Sequence, residues 1–235
     1  DLCIVTRYSG VVMICVGLMC LSPLLIDLIY FEFNYSCFII PGVFSVILGY
    51  ICMKTLDKYS RSKMKLKHGM MISSIAWMWA CIVGGVVISL ATGTDFLNGI
   101  FESTSALTGT GITMFDNVEI LPHSILFFRA FEQWVGGLGV VVMVIGVLTR
   151  PGTATAKLYQ SEAREERLKP SVKTTLKKTI EIYLIYTIVG IILYHLAGMP
   201  TFDSICNTFC MIATGGMSVK NANIGYYHND LIYLI

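Results

Sequence analysis

Five apolar stretches, each long enough to cross a lipid bilayer, limit what this chain can fold into. They cover roughly residues 8–30, 37–54, 70–92, 123–148 and 178–198, and a sixth begins near Asn229. A spanning helix needs about 20 mostly apolar residues. Within the bilayer a helix pairs its own backbone groups, whereas an isolated strand cannot. Charged residues are 14% of the chain, hydrophobic residues 55%, and mean hydropathy is +0.70. Soluble domains carry about 25% charged residues, so this chain cannot cover a water-facing surface. That excludes an ordinary soluble enzyme, a disordered tail and a disulfide-stapled secreted domain. The expected fold class is an all-α polytopic membrane protein. The stretch 11–29 is too long for a signal peptide and lacks a small-x-small cleavage site, so it reads as a retained helix.

The basic residues sort by loop. Lys54, Lys58, Arg61, Lys63, Lys65 and Lys67 separate the second and third spans. Arg150, Lys157, Arg164, Arg167, Lys169, Lys173, Lys177 and Lys178 separate the fourth and fifth. Together these are 14 of the 17 Lys and Arg. Arg7 precedes the first span on the same side. The positive-inside rule makes that side cytoplasmic and puts the N-terminus there. The opposite loops carry Glu32, Asp95, Glu102, Asp116, Glu119 and Asp203. Asp116, Glu119 and Asp203 are candidates for concentrating cations at an entrance, or are plain solvated charges. The run SEAREERLK (161–169) suggests a short solvated helix, either a connector or a docking surface for a soluble partner.

Two polar segments on the acidic side are too polar to be spans. Residues 95–122 hold a helix-length piece, 96–107, then Thr108-Gly109-Thr110-Gly111-Ile112-Thr113. Residues 201–230 repeat the plan, a short helix and then Ala213-Thr214-Gly215-Gly216-Met217-Ser218. Laying Gly215 on Gly111, 104 residues apart, puts Thr214 on Thr110 and Thr208 on Thr104. The third span then falls near the fifth. The expected organisation is an N-terminal transmembrane hairpin with a basic loop (1–67), a helix–re-entrant segment–helix unit (68–149), a cytoplasmic linker (150–177) and a second unit (178–235) cut short in its last helix.

Irregular backbone at membrane depth survives only when buried in protein or lining water. Two such segments entering from one side suggest a pore. A dehydrated monovalent cation needs several oxygen ligands in place of its water. Carbonyls of an extended Gly-rich strip supply them, Thr hydroxyls can add to them, and each preceding helix aims its partly negative C-terminus at the pore. The alternative for a single strip is a Gly-rich external turn. Two strips, each behind a helix and between spans, favour a filter.

The segments FESTSALTGTGIT (101–113), LPHSILFFRAFEQWVGGLGVVVM (121–143) and FDSICNTFCMIATGGMSV (202–219) resemble the Trk/Ktr/HKT superfamily of potassium transporters, in particular its TrkH/KtrB-type translocation subunits. With the spacing and the hairpin, the likeness covers essentially the whole chain. It implies four helix–pore loop–helix units around a pseudo-fourfold pore, each strip centred on one glycine, here Gly111 and Gly215. It implies potassium-binding filter residues Thr108, Gly109, Thr110 and Gly111 in one quadrant and Ile212, Ala213, Thr214 and Gly215 in another. In this superfamily a Ser at the first filter position goes with sodium preference, so Gly111 points to potassium. The resemblance also implies a homodimer in the cell membrane and a cytosolic ring of nucleotide-binding subunits of the TrkA/KtrA kind. With two of four strips present, the chain reads as an N-terminal portion of a longer protein.

Arg129 and Glu132 sit three residues apart on the fourth span, where they can meet and brace the filter. Gly136, Gly137 and Gly139 after Trp134 suit close helix approach. His123 stands at a helix start, His195 reads as an interior hydrogen-bonded histidine, and Trp77 and Trp79 as packing residues. The eight cysteines are scattered; Cys206 and Cys210 could share a helix face but read as packing residues. No nucleophile–base constellation or phosphate loop is present, so no enzyme activity is expected. No covalent cofactor, no metal site other than for K⁺, and no nucleic-acid partner is expected either. The expected function is potassium uptake through a carbonyl-lined filter. The alternatives are a two-unit cation channel subunit that dimerises to complete a pore, and a non-conducting membrane assembly or regulatory subunit.

Overall fold

The computed structural model describes residues 2–56, 66–148 and 172–235. Of the expected basic loops, Lys58, Arg61, Lys63 and Lys65, together with 150–171 and its SEAREERLK run, lie outside the described residues. Most of the described chain is helical: α1 (Leu2–Leu21), α2 (Leu24–Tyr30), α3 (Tyr35–Thr55), α4 (Leu66–Thr92), α5 (Phe96–Leu107), α6 (His123–Leu148), α7 (Val172–Leu196), α8 (Thr201–Ile212) and α9 (Asp230–Leu234). Among the described residues, the segments Leu2–Tyr30, Tyr35–Thr55, Lys67–Thr92 and Thr174–Leu196 are long and apolar enough to cross a membrane. Helix α6 has 26 residues, enough for a further crossing. The chain is an all-α polytopic membrane protein.

The first apolar stretch is two helices rather than one. Pro23 stands as N-cap of α2, and its ring cannot continue α1. Phe31 closes α2 with φ +55, and Asp27 is buried with its carboxylate accepting from the Asn34 N–H at 2.9 Å. The turn between α2 and α3 is thereby fixed.

Glycines seven apart set how α1 meets α3. A Cβ on Gly10 would lie 2.6 Å from the Gly49 carbonyl oxygen, and one on Gly17 would lie 2.6 Å from that of Gly42. In lipid, where apolar burial drives little association, such close backbone approach holds helices together. Polar side chains add to it: Ser45 donates to the Met13 carbonyl at 2.7 Å and accepts from the Trp79 indole at 2.8 Å. Trp79 therefore both packs and ties α4 to the hairpin.

The hairpin is fastened to α6 by Glu32. Its carboxylate accepts from the backbone N–H of His123 and Ser124 and from the Ser124 hydroxyl (2.6 Å), and lies 3.0 Å from His123 Nδ1. These are orphan donors of a helix N-terminus, satisfied from another element. The His123 ring stacks on Tyr30 at 4.0 Å, and Phe202 of α8 meets both edge-on. His123 is thus an interface residue at the helix start, where Glu32 does the capping. His195 differs from its expected place: it is exposed at the end of α7, with Nδ1 3.3 Å from the Met199 carbonyl. Cys206 and Cys210 are buried in the main apolar core.

Candidate filter site

The two short helices are built alike. Each has 12 residues. Their N-caps, Asp95 (φ −56, ψ 146) and Pro200 (φ −54, ψ 145), and their C-caps, Thr108 (φ −81, ψ −5) and Ala213 (φ −74, ψ −5), have the same backbone shape. Beyond the C-cap, positive φ appears at Gly109 (+70) and Gly111 (+75) in one strip and at Thr214 (+53) and Gly216 (+79) in the other. The Thr110 N–H returns to the Ser105 carbonyl at 3.0 Å, and the Gly215 N–H returns to that of Cys210 at 2.8 Å. Every pair is separated by 105 residues (216 − 111), not 104. The one-residue difference corrects the overlay based on glycine identity. Ile212 is the last residue of α8 and the counterpart of Leu107. The quartet matching Thr108–Gly111 is Ala213, Thr214, Gly215 and Gly216, and the counterpart of Gly111 is Gly216.

These hydrogen bonds orient the strips. In a trans peptide the N–H and C=O point in opposite directions. An N–H of Thr110 turned back to the helix end therefore turns the Gly109 carbonyl away from it, and the Gly215 N–H does the same for the Thr214 carbonyl. A backbone with φ near +75 suits glycine, which accounts for Gly111 and Gly216. Thr214 adopts it despite a branched side chain, and its hydroxyl donates to the Ala213 carbonyl at 2.7 Å.

The strips lie side by side. A Cβ on Gly111 would strike the Gly215 carbonyl oxygen, and one on Gly109 would lie 3.7 Å from that of Ala213. A cavity of about 260 Å³ opens beside them, lined by Gly111, Thr113, Asp116, Arg129, Gly216 and Lys220 among others. Past the strips the two loops are cross-linked. Asn221 Oδ1 accepts from Val118 N–H (2.8 Å), Asn221 Nδ2 donates to Asn117 Oδ1 (2.7 Å), and the Asn221 N–H donates to the Glu119 carboxylate at 3.1 Å. Glu119 is therefore hydrogen-bonded across the two loops while staying exposed. Asp203 accepts from the Tyr227 hydroxyl at 2.6 Å. Burial first, and that carboxylate second, push the Tyr227 phenol well above its ordinary value.

Arg129 and Glu132 both face α5 but do not pair with each other. Arg129 pairs with Glu102 of α5: Nε and Nη2 each approach Oε1 at 2.6 Å, with both side chains buried. Glu102 also accepts from the Met114 N–H (2.8 Å) and the Thr113 hydroxyl (2.8 Å), and Arg129 reaches that hydroxyl at 3.1 Å. Glu132 instead accepts from Ser103 at 2.6 Å. Sequence spacing alone favoured the local i, i+3 partner. Glu102, 27 residues away, becomes Arg129's partner only once α5 folds back against α6. The glycines after Trp134 carry the same contact: a Cβ on Gly136 would collide with the Leu107 carbonyl, and one on Gly137 would lie 3.0 Å from the Ala213 Cβ. Helix α6 thus touches both strip-bearing helices at their C-terminal ends.

Long apolar helices together with two short helices that each end in a Gly-rich strip define the class as a polytopic helical membrane protein with paired helix–strip units. The TrkH family profile, described as a cation transport protein, matches residues 39–235, and the chain belongs to this family. An uncharacterized cation transporter of Methanocaldococcus jannaschii is 40% identical over 229 residues, covering 97% of this chain and 47% of that protein. The Trk system potassium uptake protein TrkG of Escherichia coli is 32% identical over 238 residues, covering 99% and 49%. The crystal structure of the potassium transporter TrkH from Vibrio parahaemolyticus superposes with a TM-score of 0.87 at 28% identity, covering all of this chain and 48% of that one. The chain spans about half the length of the curated relatives it matches.

Proposed function

We propose that the chain supplies two quadrants of a potassium-selective filter in a Trk-type uptake system. The observation that carries this reading is the common backbone of two strips at equivalent positions, set edge to edge with carbonyls turned away from their helices. Carbonyl oxygens so arranged replace the hydration shell of a monovalent cation. Thr108, Gly109, Thr110 and Gly111 form one quadrant. Ala213, Thr214, Gly215 and Gly216 form the other, with Ile212 ending the helix behind it. Two strips cannot encircle an ion, so the remaining quadrants come from further units, in the same polypeptide or in another chain. K⁺ is the transported ion, no covalent cofactor is involved, and transport runs down the electrochemical gradient.

The units of this reading are 68–149 and 178–235, preceded by the hairpin 1–67 and joined by the linker 150–177. The charge bias supports a multi-pass protein of the cell membrane with a cytoplasmic N-terminus. The family likeness supports a homodimer with a cytosolic nucleotide-binding ring, for which the basic linker is the natural contact. The test is K⁺ and Na⁺ uptake by the natural assembly in cells lacking their own potassium uptake. Selective uptake lost with Gly216→Ser supports the reading. Selectivity untouched by substitution at both Gly111 and Gly216 refutes it.

A further inference from the structure

We infer that Gln133 is a positioning residue that sets the second strip from the helix of the first unit, so that the two quadrants are spaced by one side chain. This rests on the filter reading above. Gln133 lies on α6 and is fully buried. Its neighbour Glu132 faces Ser103 of the first pore helix, whereas Gln133 reaches the second strip. Its Oε1 accepts from the Met217 N–H at 3.3 Å, 84 residues away. Its amide packs against Gly215, where a Cβ would collide with the amide carbon, oxygen and nitrogen. The absence of a side chain at 215 and the amide at 133 are therefore one fit.

The Nε2 of Gln133 is buried and has no hydrogen-bond partner among the described residues. A leucine would fill similar space without a stranded donor, and an unpaired buried donor is costly. The side chain is held there for its acceptor, which serves a strip N–H that no helix or sheet satisfies. The consequence reaches both quadrants. Gly215, against which Gln133 packs, also carries the carbonyl that abuts Gly111. A strip released from Gln133 would move against its neighbour, and the number and placement of carbonyl ligands govern discrimination between ions.

The experiment compares K⁺ and Na⁺ uptake, normalised to membrane abundance, for the natural assembly carrying Gln133→Leu, Gly215→Ala, Gln133→Ala or the double substitution Gly215→Ala/Gln133→Ala. Gly216→Ser is carried alongside as the control on the filter itself. Gln133→Leu is expected to lower the K⁺/Na⁺ uptake ratio by up to about tenfold, the worth of one hydrogen bond. Gly215→Ala is expected to lower it further, and Gln133→Ala in the double variant to restore part of that loss by removing the collision. A purely structural role would change abundance and leave the ratio alone. An unchanged ratio in Gln133→Leu, or no rescue in the double variant, overturns the inference. If Gln133→Leu does not reach the membrane, the rescue decides alone. A ratio changed by Gly216→Ser but not by Gln133→Leu rejects this inference and leaves the filter standing. A ratio that Gly216→Ser does not alter rejects the filter.

Discussion

At the scale of residues, Gly111 and the buried Arg129–Glu102 pair fix the first strip and its surroundings. Gly111 combines φ +75 with a neighbouring carbonyl where a Cβ would stand. Gly111→Ser is therefore expected to displace the second strip as well as its own, and to weaken K⁺/Na⁺ discrimination in uptake assays. Discrimination equal to that of the unsubstituted protein would count against the packing described. Breaking a buried ion pair on one side leaves a charge without its partner and costs about 3–5 kcal/mol. Arg129→Leu should accordingly cut the thermal midpoint and membrane yield severely, while a variant lacking both charges, Arg129→Leu/Glu102→Leu, should recover part of the loss. A double variant no better than the single one would show that the pair is not the stabilising unit. The importance of Gly111, Arg129 and Glu132 was legible in the sequence, because glycine runs and membrane charges need explanation. The partner of Arg129 was not, because it comes from an element that spacing along one helix cannot reveal. Gln133 gave no signal at all: an amide beside a tryptophan in an apolar run looks like any polar residue in a span.

At the scale of elements, helix ends do most of the positioning. Glu32 caps α6 from the turn between α2 and α3. Burial pushes the Glu32 carboxyl up, but the hydrogen bonds from Ser124 and His123 outweigh it and hold the group below its ordinary value. A depressed carboxylate contributes stability that is fully present above its unfolded value and is lost as pH falls through the folded one. The thermal midpoint of the purified assembly should drop as pH is lowered from about 5 to 3, and Glu32→Gln should flatten that part of the profile. An identical profile in Glu32→Gln would remove Glu32 as its source. Gly136→Ala should disrupt the seating of α6 on α5, since its methyl meets the Leu107 carbonyl. The measurable outcome is loss of uptake at reduced membrane abundance, and full uptake would mean the helices are not so close. The extents of α3, α4, α5 and α6 were readable from apolar length and from the Thr/Gly strips. The break at Pro23 and the one-residue change of register were not. Both depend on backbone shape, and Thr214 at positive φ is a position where residue type does not announce conformation.

At the scale of the whole molecule, the internal repeat explains why one chain carries two strips in equivalent places. Apolar length made the membrane class legible, and the shared plan of short helix and Thr/Gly strip made the repeat legible. The side-by-side seating of strips over 100 residues apart required the fold. The central claim is that Gly111 and Gly216 line one potassium-selective pathway. It is tested most directly by K⁺ and Na⁺ flux into liposomes holding the purified natural assembly, with and without Gly111→Ser/Gly216→Ser. The account predicts K⁺-selective flux whose selectivity disappears in the double variant while the protein stays folded and inserted. Undiminished K⁺ selectivity in that variant would contradict it.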